Sequence, residues 1–323
     1  MKDIQGGAEE YLNRGRELYK HKRYEEALFA FEEALRREPR SALACADKAR
    51  TLMALHRYEE ALAAFAEAVQ FNPEDVSILM DQGDACYGLG RYGEAFAAYN
   101  RAVELRPARV DAWKSKGDAL VSLDRYTEAV AAYEVALKLD PTYAESWVNK
   151  GYALERLERY DDALAAYEKA LQLDPEYVAA YSNKGFILGH LRRYEEALSA
   201  FEQALHLAPT LTLGYKGKGD VLVGLQRYEE ARAAYEHYAQ LEPTSDVAYK
   251  CLGDVLSMLG RYEEAVIAYE WAASLNPNNA LIHHNKGYAL SMLGRQEEAR
   301  AAYERSRELG YAPESPPQEE SPH

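Results

Sequence analysis

Residues 110–143 read VDAWKSKGDALVSLDRYTEAVAAYEVALKLDPTY, and the same pattern returns every 34 residues along a chain of 323. An arginine stands at Arg23, Arg57, Arg91, Arg125, Arg159, Arg193, Arg227, Arg261 and Arg295, with tyrosine after it in eight cases and Gln296 in the ninth. Four positions past each arginine is an alanine, from Ala27 to Ala299, and four further on an aromatic ring, from Phe31 to Tyr303. Proline closes eight units, Pro39 through Pro277. Within a unit the apolar residues fall at i, i+3, i+4 and i+7, as in Ala163, Ala166, Tyr167 and Ala170, which is one face of an α-helix. Each unit therefore reads as two helices, A then B. Glycine at position 8 (Gly83, Gly117, Gly151, Gly185, Gly219, Gly253) and alanine at position 20 allow close approach, and the ring at position 24 fills the space beside them. Acids open every B helix, as in Glu25-Glu26 and Asp161-Asp162, where they complement the helix dipole.

With this period and these residues the chain resembles the tetratricopeptide repeat family. That family's pattern asks for a bulky residue at position 4, small at 8, large at 11, Ala at 20, aromatic at 24, Ala at 27 and Pro at 32. Residues 110–143 supply Trp113, Gly117, Leu120, Ala129, Tyr133, Ala136 and Pro141. The resemblance implies an all-α, right-handed α-solenoid of nine helix-turn-helix repeats, with helix A lining the inside. The repeats are placed at 8–41, 42–75, 76–109, 110–143, 144–177, 178–211, 212–245, 246–279 and 280–313, forming one continuous body. A disordered lead (1–7) and an acidic, proline-rich disordered tail (314–323) are expected to flank them. Three departures stand out. Lysine at position 7 (Lys48, Lys116, Lys150, Lys184, Lys218, Lys286) reads as a snorkelling side chain whose ammonium reaches water. Tyr238 replaces alanine at position 27, which predicts an altered angle between repeats 7 and 8. Ser306, Arg300, Arg305 and Arg307 read as polar capping of the last repeat.

Composition narrows the function classes. Charged residues make up 28% and hydrophobic ones 48% of the chain, enough for a folded core. No apolar run is long enough to span a membrane and the start lacks a secretory signal pattern. Cys45, Cys86 and Cys251 form no CxxC spacing, so a cytoplasmic location is expected. The net charge of -15 disfavours nucleic acid. The first repeat is the balanced region, with eight Lys/Arg against eight Glu over residues 8–41. Phosphate loops, HExxH and GxSxG motifs are absent. His283 and His284, adjacent on a helix, point about 100° apart and cannot chelate together. The expectation is no enzyme activity, no metal and no cofactor.

Function then falls to helix A positions 2, 5, 6, 9, 12 and 13, which line the inner face in the family. Asn149 and Asn183 occupy position 6 of neighbouring repeats, roughly 10 Å apart by helix spacing. An asparagine ladder of that pitch could grip a peptide backbone about three residues apart, with Tyr152, Phe186, Val148 and His190 adding contact area. The alternative is that asparagine is simply common at position 6. A second subsite is placed at Lys216, Lys250, Asn285 and Tyr288, beside His284, Leu213, Val247 and Leu281, where basic groups suit an acidic or C-terminal carboxylate ligand. The carboxylate clamp of chaperone-binding relatives is matched over repeats 4 to 6 by Lys114 and Asn149 but not by Asp118, Ala179 or Asn183. The recurring pairs Lys114/Asp118, Lys216/Asp220 and Lys250/Asp254 read as salt bridges along a helix. The expected function is a cytoplasmic adaptor or scaffold for a protein or peptide ligand, monomeric or self-associating through its end repeats. The alternatives are a regulatory or targeting subunit of an enzyme or transcription complex, and a purely structural module.

Overall fold

The arginine that marks the period sits at the joint between two helices. The computed structural model describes residues 7–311. The lead and tail expected at 1–7 and 314–323 lie outside the described residues, apart from Gly7, which precedes the first helix. The described helices fall into two compact units, Met1–Leu173 and Asp174–His323. The first contains α1 (Ala8–Lys20), α2 (Tyr24–Arg37), α3 (Ala42–Ala54), α4 (Tyr58–Phe71), α5 (Val76–Gly88), α6 (Tyr92–Leu105), α7 (Val110–Ser122), α8 (Tyr126–Leu139), α9 (Ala144–Arg156) and α10 (Tyr160–Leu173). The second contains α11 (Val178–His190), α12 (Tyr194–Leu207), α13 (Thr212–Gly224), α14 (Tyr228–Leu241), α15 (Asp246–Met258), α16 (Tyr262–Leu275), α17 (Ala280–Met292) and α18 (Gln296–Glu308). There is no strand among the described residues. Odd-numbered helices are A helices and even-numbered ones B helices; within each unit every A helix packs along its own B helix, which in turn packs on the next A helix. This is the all-α solenoid arrangement of helix pairs that the period predicts.

The core follows the pattern. Alanine at position 20 is buried in every repeat, and the position-24 ring is buried in all but the last, where Tyr303 is half-buried at the end of the stack. A Cβ placed on Gly117 would lie 2.5 Å from the Tyr133 ring, so glycine there sacrifices about 1 kcal/mol of helix propensity for a tighter helix pair. Ser306 is not a solvent-facing cap: it is buried, and its hydroxyl donates to the Ala280 carbonyl at 2.8 Å. Tyr238 is also buried, with its hydroxyl 3.3 Å from Ser245 Oγ just before α15. The position-7 lysines do more than reach water. Five of the six bond the residue at position 25 of the preceding B helix: Lys48 to Glu32 (3.4 Å), Lys116 to Asn100 (2.8 Å), Lys150 to Glu134 (3.0 Å), Lys218 to Glu202 (2.9 Å) and Lys286 to Glu270 (2.8 Å). A half-exposed ion pair of this kind is worth about 1 kcal/mol at most, but its repetition fixes how one repeat sits on the next.

At the joint, the backbone N–H of Arg125 donates to Leu120 O (2.9 Å) and its carbonyl accepts from Ala129 N (3.0 Å), closing helix A and opening helix B. Its guanidinium forks onto Glu128 at 2.7 Å through both Nε and Nη2. The other eight arginines repeat this with an acid three residues on, Asp162 serving Arg159. The residue before each arginine is forced into the left-handed region, where Gly90, Gly260 and Gly294 are at ease. Lys22, His56, Asp124, Glu158, Arg192 and Gln226 hold φ of +57 to +60°. A side chain in that region costs about 1 kcal/mol. Glu158→Gly is therefore expected to raise the urea midpoint by the equivalent of about 0.5–1 kcal/mol, and Gly260→Ala to lower it by a similar amount. Shifts of the same sign for both would contradict the joint geometry.

Candidate functional site

Positions 6 and 9 of the A helices are mostly polar, and many of these side chains bind within a repeat or to the next one. Where position 24 is tyrosine and position 9 aspartate, the buried phenol donates to the carboxylate: Tyr99 to Asp84 (2.7 Å), Tyr133 to Asp118 (2.7 Å), Tyr235 to Asp220 (2.7 Å) and Tyr269 to Asp254 (2.8 Å). Burial and then the neighbouring carboxylate push these phenols above the usual tyrosine range, so they stay donors. The same aspartates bind forward. Asn149 donates Nδ2 to Asp118 Oδ1 (2.9 Å) and Asn285 to Asp254 Oδ1 (2.8 Å), each across 31 residues. In the first repeats the same 31-residue link is ionic: Arg16 Nε donates to Asp47 (2.6 Å) and Arg50 Nε to Asp81 (2.9 Å).

Lysine at position 5 completes the set. Lys216 meets Asp220 and Lys250 meets Asp254, both at 2.7 Å, while Lys114 bridges Asp118 (3.1 Å) and Glu145 (2.5 Å). Burial opposes the charge of Lys114, yet the two acids outweigh it and leave the pKa above the ordinary lysine value. The three lysine–aspartate pairs read from the sequence are thus present, and they neutralise the basic groups offered for an acidic ligand at Lys216 and Lys250.

The expected site residues separate accordingly. Val148 is buried and offers no surface, because its position on α9 turns into the packed side. The Asn149 and Asn285 amide nitrogens are engaged inside their own units. Tyr152 is exposed, with its hydroxyl 3.4 Å from Arg156 Nη1. Asn183 is half-buried on α11, His190 exposed, and Phe186 half-buried with its ring edge-on to Phe201 at 5.0 Å. Tyr288 is exposed and edge-on to Tyr262. His283 is occupied with the Pro277 carbonyl (2.9 Å) and His284 lies against Tyr303 and Tyr311. No group able to hold a metal occurs among the described residues, and no helix of them is long and apolar enough to cross a membrane.

What the sequence reading underweighted is apolar. At position 2 of three successive repeats, Leu213, Val247 and Leu281 are 54%, 41% and 36% exposed, and at position 13 Met258 and Met292 are 53% and 51% exposed. Eleven residues of helix separate the two rows, about 16 Å. Between them lie the closed Lys216/Asp220 and Lys250/Asp254 pairs and Asn285. The signal was available in the aliphatic run at position 2, which repeats 3 to 6 break with Ser77, Asp111, Glu145 and Ala179.

Asp84 is the aspartate of the set with the fewest partners: Met80 stands where the others have lysine, and Ser115 where Asn149 and Asn285 stand. Burial, offset in part by the Tyr99 hydrogen bond and reinforced by Asp81, raises its pKa. A carboxyl raised in the folded state favours folding below its unfolded pKa and loses that advantage as pH rises through the folded value. Asp84→Asn should therefore stabilise the protein at pH 7 relative to wild type, with the gain shrinking at pH 3.5. Urea midpoints at the two pH values check this, and a gain that grows on acidification would contradict it.

Tetratricopeptide repeat models match residues 8–41, 46–110, 144–177, 178–211, 217–245 and 280–309, and a TPR repeat model matches 117–158 and 253–294. Comparison with curated protein sequences returns no match. Among solved structures, a tetratricopeptide repeat protein from Parabacteroides merdae is similar at 17% identity and TM-score 0.59, covering 77% of this chain and 99% of that one. YrrB, described as a TPR protein with an unusual peptide-binding site, is similar at 22% identity and TM-score 0.50, over 58% of this chain and 97% of its own. MamA from Desulfovibrio magneticus RS-1 is similar at 24% identity and TM-score 0.50, over 53% and 97%. At these identities the structural likeness speaks to fold alone. The repeat models span most of the sequence, and the chain belongs to the tetratricopeptide repeat family.

Proposed function

We propose that this chain is a non-catalytic, cytoplasmic scaffold that receives a peptide segment of a partner protein on the exposed face of its A helices. The observation that carries the reading is the double row of exposed aliphatic and thioether side chains on α13, α15 and α17, Leu213, Val247 and Leu281 with Met258 and Met292. Apolar side chains grouped in this way mark interaction surfaces, and methionine adapts its shape to a partner. Tyr288 adds an exposed aromatic anchor of the kind that dominates binding energy. Because Lys216 and Lys250 are paired with Asp220 and Asp254, the ligand for this part of the face is apolar and not acidic. Asn183, Phe186 and His190 of the second unit, and Asn149 and Tyr152 of the first, remain proposed contributors, with the Asn149 amide left its carbonyl oxygen and its second N–H after the bond to Asp118. The peptide-binding description of YrrB agrees with the reading by analogy of fold.

The test is affinity capture from a lysate of the source organism with wild type beside Leu213→Ser/Val247→Ser/Leu281→Ser, the captured proteins being quantified by mass spectrometry. At least one protein held by wild type should fall roughly tenfold or more in the variant, as expected when about 1.4 kcal/mol or more of binding is lost. Equal retention of every captured protein would remove this face from the proposal.

A further inference from the structure

One apolar patch lies outside the rows described above. On α16, a B helix, Ile267 and Trp271 stand one turn apart and are 56% and 58% exposed, with Leu275 a further turn on at 37%. The repeat does not ask for them. Position 22, Ile267 here, is alanine in six of the other eight repeats, and position 26, Trp271 here, is a charged or amide residue in six of the other eight. The Trp271 ring is stacked on Tyr249 of α15, with centroids 6.1 Å apart and planes at 25°, so the patch is an aromatic wall of settled orientation. Its indole N–H is open as well. Trp113 and Trp147 donate theirs to the Pro107 and Pro141 carbonyls, at 2.8 and 3.0 Å, whereas Trp271 Nε1 meets no acceptor among the described residues.

The chemistry that matches such a wall is a proline-rich stretch, whose rings lie on aromatic side chains and whose carbonyls, unused by any internal bond, can accept from an indole N–H. The chain carries one beyond the last described residue. Residues 312–323 read APESPPQEESPH, with Pro313, Pro316, Pro317 and Pro322 among three acids, Glu314, Glu319 and Glu320. Its point of departure is fixed: Tyr311 donates its backbone N–H to Ser306 O at 3.1 Å, and its ring lies 4.6 Å from that of His284 on α17, the helix packed on α16. Trp271 is near the end of α16 and His284 near the start of α17, so both lie where the chain turns from one helix to the next. Packed helices are about 10 Å apart. An extended proline-rich run advances about 3.1 Å per residue, so Pro316 and Pro317 reach about 16–19 Å from Tyr311, which is more than that spacing. Charge agrees with reach. Arg307 on α18 has no ionic partner among the described residues, and Arg305, which occupies the position of Trp271 one repeat on, has only the exposed Glu308.

We propose that residues 312–323 dock on this wall within their own chain, the prolines against Trp271 and Ile267 and the acids toward Arg305 and Arg307. The surface belongs to a B helix and stands apart from the partner face at Leu213, Val247 and Leu281. The experiment follows the indole N–H signals of the three tryptophans in the isotope-labelled full-length protein by NMR, with Trp271→Phe assigning one of them. Two full-length variants are compared with wild type, Pro316→Ser/Pro317→Ser and Glu314→Lys/Glu319→Lys/Glu320→Lys. Each should move the Trp271 signal and leave those of Trp113 and Trp147 in place. A peptide of residues 312–323 added to the proline variant should return the Trp271 signal saturably to its wild-type position. Its Kd should lie below about 1 mM, because a short tether supplies an effective concentration of that order and a weaker site would stand open in wild type. A Trp271 signal that the proline variant leaves unmoved overturns the proposal, whatever the charge variant does. A wild-type Trp271 signal that changes on dilution also overturns it, and assigns the wall to a second copy of the chain. Partner capture that depends on Leu213, Val247 and Leu281 is unaffected by either result, so the two readings fail separately.

Discussion

How closely helix A can lie on helix B governs the rest of each repeat. Where position 8 is glycine, the position-24 ring occupies the space a side chain would take, as the 2.5 Å approach of a Cβ on Gly117 to Tyr133 shows. Repeat 2 carries Ala49 there, fully buried, opposite Phe65. Phenylalanine has no hydroxyl to anchor, so its ring can yield to a methyl. Tyr99, Tyr133, Tyr235 and Tyr269 are held in place, their hydroxyls tied to the position-9 aspartate.

From that hydroxyl the remaining polar pattern follows. A buried phenol needs an acceptor, position 9 supplies aspartate, and the desolvated carboxylate then recruits lysine from position 5 and asparagine from position 6 of the next repeat. Asp118 and Asp254 each collect all three donors. Asn149 and Asn285 each give an amide hydrogen to the stack in this way. What the stack leaves exposed in the second unit is aliphatic and thioether: Leu213, Val247, Leu281, Met258 and Met292.

Much of this was legible. The period, the two helices per unit, the position-20 and position-24 core and the lysine–aspartate pairs are written in residue spacing, and the folded chain keeps them. The left-handed joint was visible only where it is glycine, at Gly90, Gly260 and Gly294; Lys22 and Glu158 give no local sign of it, because the strain is imposed by the helix that follows. The fate of Asn149 was harder. Its partner lies 31 residues away, a spacing that acquires meaning only once repeats are stacked in register, although the same interval joins Arg16 to Asp47 and Asp254 to Asn285. Val148 was misplaced because its residue type suits either side of α9, and only packing decides. The lysines at position 7 were read as solitary for the same reason: their acceptors belong to the previous repeat.

The central claim is that position-9 aspartates join the core of one repeat to the surface of the next. A double-mutant cycle on Tyr269→Phe and Asn285→Ala, two residues that both donate to Asp254 Oδ1 from different repeats, tests it most directly. Urea unfolding of the wild type, the two single variants and the double variant should give an interaction energy of about 0.5–1.5 kcal/mol. Effects that add to within about 0.3 kcal/mol would mean that the two repeats are not coupled through Asp254.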